Sequence, residues 1–147
     1  AAIASGKVAS YVVDFPCAET VNQEGIIAIP HLGASTVESE DNCAVMAAQE
    51  IADFLENGNI LNSVNFPNCE LPLGGKGRIT VVHKNIPNMI AQLTQIFSAV
   101  GANISDMINK SKKDCAYTII NTDSAITDEL IEKISSVEGI WKVRAIY

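Results

Sequence analysis

The sequence predicts an α/β chain in two parts. The first is the remnant of a doubly wound parallel sheet with a long helix, and the second is a separate βαββαβ unit. Two short runs near the start are apolar on both faces, which is typical of strands buried in a parallel sheet. A run with helical spacing of apolar residues follows them. From residue 77 onward, strand and helix signals alternate in the order β-α-β-β-α-β.

The first part contains two strand signals and one helix signal. The runs KVASYVVDF at 7–15 and EGIIAIP at 24–30 are β-prone, and a proline stops each of them. A helix is predicted over residues 36–57, where apolar residues recur every three or four positions. Ser35 and Glu38 have the spacing of a capping box at its start.

Residues 59–76 are predicted to be a linker, because they contain two prolines and a Gly-Gly pair without helical periodicity. A short extended piece is expected at 63–66. The glycine-rich stretch 74–77 lacks the spacing of a phosphate-binding loop, so it is predicted to be a hinge. The resulting domains are 1–58 and 77–147, with the linker between them.

The second part shows six regular elements. A four-stranded antiparallel sheet with both helices on one face, the ferredoxin-like arrangement, is the structure that this order predicts. The strand and helix signals are RITVVHK, PNMIAQLTQIFSAVG, NISDMINKS, CAYTIINT, DELIEKISSV and IWKVRAIY.

Composition and charge narrow the class of protein. The chain has 147 residues, of which 48% are hydrophobic, enough for a core. Residues 1–75 carry ten acids and one base, whereas residues 76–147 carry seven acids and nine bases, which supports two units. Neither half has a basic stripe with aromatic residues, so no nucleic-acid partner is expected. Without a membrane-length apolar run or a secretory signal, we expect a cytoplasmic protein with no membrane partner.

The four cysteines predict neither a metal site nor a redox motif. No C-x-x-C pair occurs, and the spacing is wide and irregular. Free thiols are therefore expected, and no metal ligand is assigned. The cysteines are Cys17, Cys43, Cys69 and Cys115.

Two stretches carry a resemblance to a known family. YVVDFPCAE followed by IIAIPHLGASTVESEDNCA resembles the end of the catalytic unit of D-2-hydroxyacid dehydrogenases. The βαββαβ tail resembles an ACT domain, with HKN after its first strand and GAN after its first helix. Together they resemble the C-terminal part of the D-3-phosphoglycerate dehydrogenase branch. That resemblance implies NAD-dependent oxidation of 3-phosphoglycerate to 3-phosphohydroxypyruvate in L-serine biosynthesis, under allosteric control.

The resemblance assigns three residues to the catalytic site. His31 matches the family's general acid/base, a role that suits an imidazole because it titrates near neutral pH. Glu19 matches the carboxylate that orients the histidine, and Asp14 matches the residue that contacts the nicotinamide end of NAD. The fingerprint G-x-G-x-x-G occurs nowhere in the chain, and no residue matches the family's substrate-binding arginine. The chain alone is therefore expected to be inactive.

The resemblance also implies an effector site in the tail. His83, Asn85 and Asn103 match the residues that bind L-serine between two subunits in serine-sensitive members of the family. The chain departs from the usual ACT pattern at Asn88, where glycine is common. Asn is the non-glycine residue that best tolerates a left-handed backbone, so the loop is expected to keep its shape. We expect a homo-oligomer, a dimer or tetramer, that pairs through this domain and binds L-serine or another amino acid.

Two alternatives of a different class stay open at this stage. The chain could be a non-enzymatic amino-acid sensor, or it could be an oligomerisation module. The residues themselves also leave open which 2-hydroxy acid is the substrate of the dehydrogenase interpretation.

Overall fold

The computed structural model describes residues 1–147 and contains six strands and three helices. The elements are β1 (Tyr11–Val13), β2 (Ile26–Ala28), α1 (Val37–Asn57), β3 (Gly77–Lys84), α2 (Met89–Ala99), β4 (Ile104–Lys112), β5 (Cys115–Thr122), α3 (Asp128–Ser135) and β6 (Ile140–Ile146). By contacts, the chain divides into two compact units, Ala1–Met46 and Ala47–Tyr147. The predicted α/β class with a βαββαβ second part is confirmed.

The first unit consists of a small parallel sheet and the start of α1. Strands β1 and β2 pair in parallel, with Tyr11 opposite Ile26 and Val13 opposite Ala28. No residue of this unit is buried, and the side chain of Val12 is 55% exposed. The apolar residues that predict a sheet buried on both faces therefore have no core within residues 1–46.

Helix α1 begins with a cap that differs from the predicted one. The Thr36 hydroxyl accepts a hydrogen bond from the Ser39 amide at 3.2 Å. Thr36 is therefore the N-cap residue, not the predicted Ser35 with Glu38 as its capping-box partner. The helix ends at Asn57, and Gly58 follows in a left-handed conformation with φ of +73°.

The second unit is built on a four-stranded antiparallel sheet in the order β4-β5-β3-β6. Side chains of α2 and α3 form one buried cluster with strand residues, so both helices cover the same face of the sheet. This cluster supplies most of the core, and its burial is the main source of stability for this unit. Its buried members are Ile79, Val81, Leu93, Phe97, Ile120, Leu130 and Ile134.

The segment 59–76 covers the opposite face of the sheet. Ile60 and Cys69 form an antiparallel bridge, and both are buried against Tyr117 and Ile119. Burial raises the pKa of the Cys69 thiol to about 11, so this cysteine stays protonated at neutral pH. The segment predicted to be a linker is thus packed as part of the second unit. Because that unit begins at Ala47, the contact boundary also differs from the predicted boundaries at 58 and 76.

Three further observations concern disulfides, metal ligands and membrane-spanning helices. All four cysteines are free. No group of three or more His, Cys, Asp or Glu side chains is gathered closely enough to hold a metal ion. None of the helices combines the length and the apolar composition that a membrane span requires.

Candidate functional site

A histidine–aspartate pair lies at the carboxyl end of the parallel sheet. Asp14 directly follows β1, and His31 follows β2 behind Pro30. Because the two strands are parallel and in register, their carboxyl ends meet at one edge, which is where ligands bind in sheets of this class. The His31 Nδ1 and Asp14 Oδ2 atoms are 2.8 Å apart.

The geometry of this pair selects one tautomer of the imidazole. A carboxylate can only accept, so Nδ1 carries a proton that it donates to Asp14, and Nε2 of the neutral ring keeps its lone pair. The Phe15 ring lies against the imidazole, with ring centroids 4.3 Å apart. The side chains of His31 and Asp14 are 55% and 50% exposed, so Nε2 is accessible to a substrate. The arrangement can take up a proton at Nε2 and hold the resulting charge next to a carboxylate.

Glu19 is not part of this pair. Its exposed carboxylate forms no hydrogen bond or ion pair with His31. A hydrogen bond from Cys17, with a smaller contribution from its own backbone, lowers the pKa of Glu19. The structure gives the orienting position to Asp14, the residue that the resemblance assigns to the nicotinamide. Strand pairing explains the difference, because residues after two adjacent parallel strands become neighbours in space.

His83, the first of the predicted effector residues, is buried in the second unit. Its Nδ1 donates to the Lys84 carbonyl at 2.8 Å, and its Nε2 is 2.8 Å from the Thr118 hydroxyl. Its side chain lies on the helix-covered face of the sheet, and only 2% of the residue is exposed. Both ring nitrogens have protein partners, so His83 has no free nitrogen with which to bind a ligand.

The two predicted effector asparagines lie at opposite ends of the sheet. The Asn85 amide donates to the Lys113 carbonyl at 3.1 Å, beside the β4–β5 turn. The Asn103 amide donates to the Asp123 carboxylate at 3.1 Å, beyond the other end of β5. At about 3.3 Å per residue, the length of β5 separates the two side chains by roughly 25–30 Å. One chain therefore cannot bring both asparagines to the same small ligand.

Asn88 adopts the backbone conformation that its residue type predicts. It is the N-cap of α2 and lies in the left-handed region, with φ of 67°. Its exposed side chain makes no capping hydrogen bond. The loop before α2 therefore keeps a left-handed turn without glycine, as expected for asparagine.

No family model matches the chain, but curated relatives do. D-3-phosphoglycerate dehydrogenase from Escherichia coli strain K12 is 27% identical over 159 residues, covering 99% of this chain and 39% of the relative. The enzyme of the same name from Haemophilus influenzae is 28% identical over 158 residues, covering 99% of this chain and 38% of the relative. That from Dictyostelium discoideum is 32% identical over 122 residues, covering 82% of this chain and 30% of the relative.

The chain is homologous to the C-terminal part of D-3-phosphoglycerate dehydrogenases. The resemblance predicted from the two dehydrogenase-like stretches and the tail is confirmed. The chain spans well under half the length of the relatives it matches, 39% of the Escherichia coli protein.

Solved structures similar to part of this chain include ACT domains. The ACT domain of GTP pyrophosphokinase from Chlorobium tepidum has a TM-score of 0.43 and 22% identity, covering 48% of this chain and 95% of the other. The regulatory subunit of aspartate kinase from Thermus thermophilus has a TM-score of 0.42 and 14% identity, covering 52% of each chain.

The sequence analysis did not identify the buried structural role of Arg78 in this chain. Arg78 is 0% exposed and binds Asn121, two asparagines near the end of α1, and the carbonyls of Leu71 and Pro72. Burial lowers its pKa below the usual range of arginine. An arginine second in a strand, where the neighbouring positions are apolar, is the signal that could have found it.

Proposed function

We propose that this chain is the C-terminal portion of an NAD-dependent D-3-phosphoglycerate dehydrogenase with an amino-acid-binding regulatory domain at 77–147. The observation that carries the proposal is homology to dehydrogenases of that name over 99% of the chain. The pair of His31 and Asp14 at the carboxyl end of the sheet supports the catalytic half. The antiparallel sheet with two helices on one face supports the regulatory half.

In the catalytic half, His31 acts as the general base for substrate oxidation. Its Nε2 takes the proton from the substrate hydroxyl, and the charge that develops on the ring is stabilised by Asp14, 2.8 Å from Nδ1. NAD would supply the hydride acceptor for the carbon that bears this hydroxyl. Asp14 and His31, which follow the two parallel strands, would contact the nicotinamide end of the cofactor, and the chain has no G-x-G-x-x-G for its pyrophosphate.

The catalytic assignment is tested in the longer protein that contains this chain. We expect His31→Gln to lower kcat for 3-phosphoglycerate oxidation roughly 10²- to 10⁴-fold, the usual contribution of general acid–base catalysis. Asp14→Asn should also lower kcat, because an amide that donates to Nδ1 favours the tautomer with a proton on Nε2. Steady-state kinetics at several pH values measures both effects.

Glu19→Gln is the matched control, since Glu19 makes no contact with His31. It should leave kcat nearly unchanged. A large loss with Glu19→Gln and none with Asp14→Asn would contradict the assignment of Asp14 and restore Glu19 as the orienting carboxylate.

In the regulatory half, L-serine binds between two copies of the chain. Strand β4 is an edge of the sheet, and most of its residues are exposed. Asn103 lies just before the start of this strand, and Asn85 contacts Lys113 just beyond its end. A two-fold axis that pairs β4 antiparallel with the β4 of a second copy brings Asn103 of one chain near Asn85 of the other. Each asparagine keeps a side-chain oxygen without a partner, which suits the ammonium group of an amino acid.

Isothermal titration tests the effector site. The 147-residue chain is expected to bind L-serine, to bind D-serine more weakly, and to have the mass of a dimer or tetramer by light scattering. Asn103→Ala should weaken L-serine binding at least about tenfold, because a hydrogen bond to a charged group is lost. Asn65→Ala, at an exposed asparagine outside the proposed site, is the control and should leave binding unchanged.

If titration with L-serine gives no heat, the proposal that this domain binds L-serine is wrong. Binding by a monomer would remove the shared site between two copies. If another amino acid gives heat while the longer protein has no dehydrogenase activity, the second candidate function, a non-enzymatic amino-acid sensor, replaces the first.

A further inference from the structure

A cavity of about 350 Å³ lies in the second unit, on the face of the sheet opposite α2 and α3. Val82 and Tyr117, which are paired on adjacent strands, form its floor. The second half of α1 forms one wall, and residues 59–63 with Phe66 form the other. Its volume is within the range of small-molecule sites. The predicted effector residues His83, Asn85 and Asn103 do not line it.

Hydrogen bonds and stacking hold the walls in place. The Tyr117 hydroxyl donates to the Gly58 carbonyl at 2.7 Å. Arg144 donates to the Phe54 carbonyl in the last turn of α1, and its guanidinium carbon lies 4.7 Å from the centroid of the Phe54 ring. The cavity is therefore built from anchored elements and does not depend on a mobile loop.

The lining is mainly apolar and carries a single charged side chain, that of Glu50. One Glu50 oxygen accepts from the Asn62 side chain at 2.6 Å, and the other oxygen has no partner. The Asn62 side-chain oxygen is also without a partner. The second Glu50 oxygen and the Asn62 side-chain oxygen are therefore free to accept hydrogen bonds from a ligand, and the Glu50 oxygen is negatively charged.

Three cations near the cavity act in the opposite direction: half-buried Arg144, which stacks on the Phe54 ring and donates to the carbonyls of Phe54 and Leu55, and two lysines on the sheet. Lys142 is the strand neighbour of Val82, and Lys110 is the strand neighbour of Tyr117. Both are exposed and neither lines the cavity, so solvent screens their charges more strongly than that of half-buried Glu50. The Arg144 guanidinium is engaged by the Phe54 carbonyl and does not line the cavity, so the one charge in the lining is the negative charge of Glu50.

We propose that this cavity binds a hydrophobic amine, with its apolar body on Val82, Tyr117 and Phe54 and its ammonium group on Glu50. Apolar surface gives most of the affinity, because the floor and both walls are aliphatic or aromatic. The ion pair with Glu50 gives the preference for a cation. The site is separate from the residues assigned to the dehydrogenase and to L-serine.

Three probes of nearly equal shape test the proposal: 2-phenylethylamine, 2-phenylethanol and phenylacetate. Each is titrated into the 147-residue chain and followed by NMR of the backbone amides. The amine should bind about two- to fivefold more tightly than the alcohol, the range expected for a partly exposed ion pair, and phenylacetate should bind most weakly. The shifts should be centred on Val82, Tyr117 and Asn62.

Variants separate the two contributions. Glu50→Gln should remove the advantage of the amine and leave the alcohol unaffected, whereas Glu56→Gln, an acid on α1 outside the lining, should change neither. Val82→Phe fills the cavity with a strand-favouring residue and should remove binding of all three probes. The proposal is overturned if no probe shifts these amides, if phenylacetate binds most tightly, or if Glu50→Gln leaves the preference for the amine intact.

Discussion

Replacing Arg78 with methionine is expected to remove about 3–5 kcal/mol from the free energy of unfolding of the second unit. The guanidinium donates to the Asn121 side chain at 2.8 Å and to the carbonyls of Asn57, Leu71 and Pro72 at 2.6 Å each. Methionine fills a similar volume, but it removes the Arg78 donor from every one of these acceptors, and only the Pro72 carbonyl keeps another donor, the Asn121 side-chain amide at 2.9 Å. Relief of the buried charge offsets only part of this loss.

The loss occurs because Arg78 joins three parts of the chain. Its partners lie at the end of α1, in the segment that covers the sheet, and on β5. The direct hydrogen-bond partners of Arg78 are neutral acceptors, and the charge of the nearby Asp53 carboxylate also favours the charged guanidinium. Removing the side chain therefore releases the covering segment and α1 together.

Urea unfolding followed by the fluorescence of the single tryptophan, Trp141, measures this effect. Lys84→Met, at the exposed end of the same strand, is the control and should change stability by no more than about 0.5 kcal/mol. Arg78→Lys should be intermediate, because an ammonium group keeps the charge but cannot span the same acceptors. Equal urea midpoints for Arg78→Met and Lys84→Met would contradict the prediction.

Gly75→Ala is expected to destabilise the second unit by about 2–5 kcal/mol. Gly75 has φ of +72°, and a Cβ added there would lie 2.4 Å from the carbonyl oxygen of Thr122. The adjacent Lys76 amide donates to the same oxygen at 2.7 Å, so the backbone cannot withdraw without breaking that bond. A side chain at residue 75 therefore adds a clash with backbone to the strain of a left-handed conformation.

Gly101→Ala is a closely matched control. Gly101 has φ of +70°, but a Cβ added there meets nothing within 4 Å. It should show only the conformational cost, about 1–2 kcal/mol. The difference between the two urea midpoints gives the cost of the close approach. Equal losses would mean that the segment moves away easily, and they would favour the hinge that the sequence predicts at 74–77.

The glycine-rich stretch 74–77 has a conformation that local sequence patterns could not predict. Its composition predicts a flexible connection, because adjacent glycines favour no single conformation. In the structure, Gly75 is instead required by contact with the end of β5, a strand far away in the chain. The same composition suits a flexible hinge and a tight approach, and only the path of the chain distinguishes them.

The hydrogen-bonded pair of His31 and Asp14 shows a similar limit. The proline, histidine and glycine pattern around His31 carries the resemblance from which its proposed role comes. Its partner was not predictable in the same way, because Asp14 is 17 residues distant and meets His31 only through the parallel pairing of two short strands. Glu19 is also a carboxylate and is nearer to His31 in sequence, but its hydrogen bond is to Cys17.

The sequence by itself determined the order of strands and helices in residues 77–147, the parallel character of the first strands, and the relationship to dehydrogenases. These depend on period-2 and period-3.6 patterns and on short motifs, which are local properties. Only the tertiary structure decided that 59–76 covers the sheet, that Arg78 holds it there, and that Asp14 orients His31. These contacts join residues distant in sequence, and their free energy comes from burial and hydrogen bonds that form only after the chain has folded.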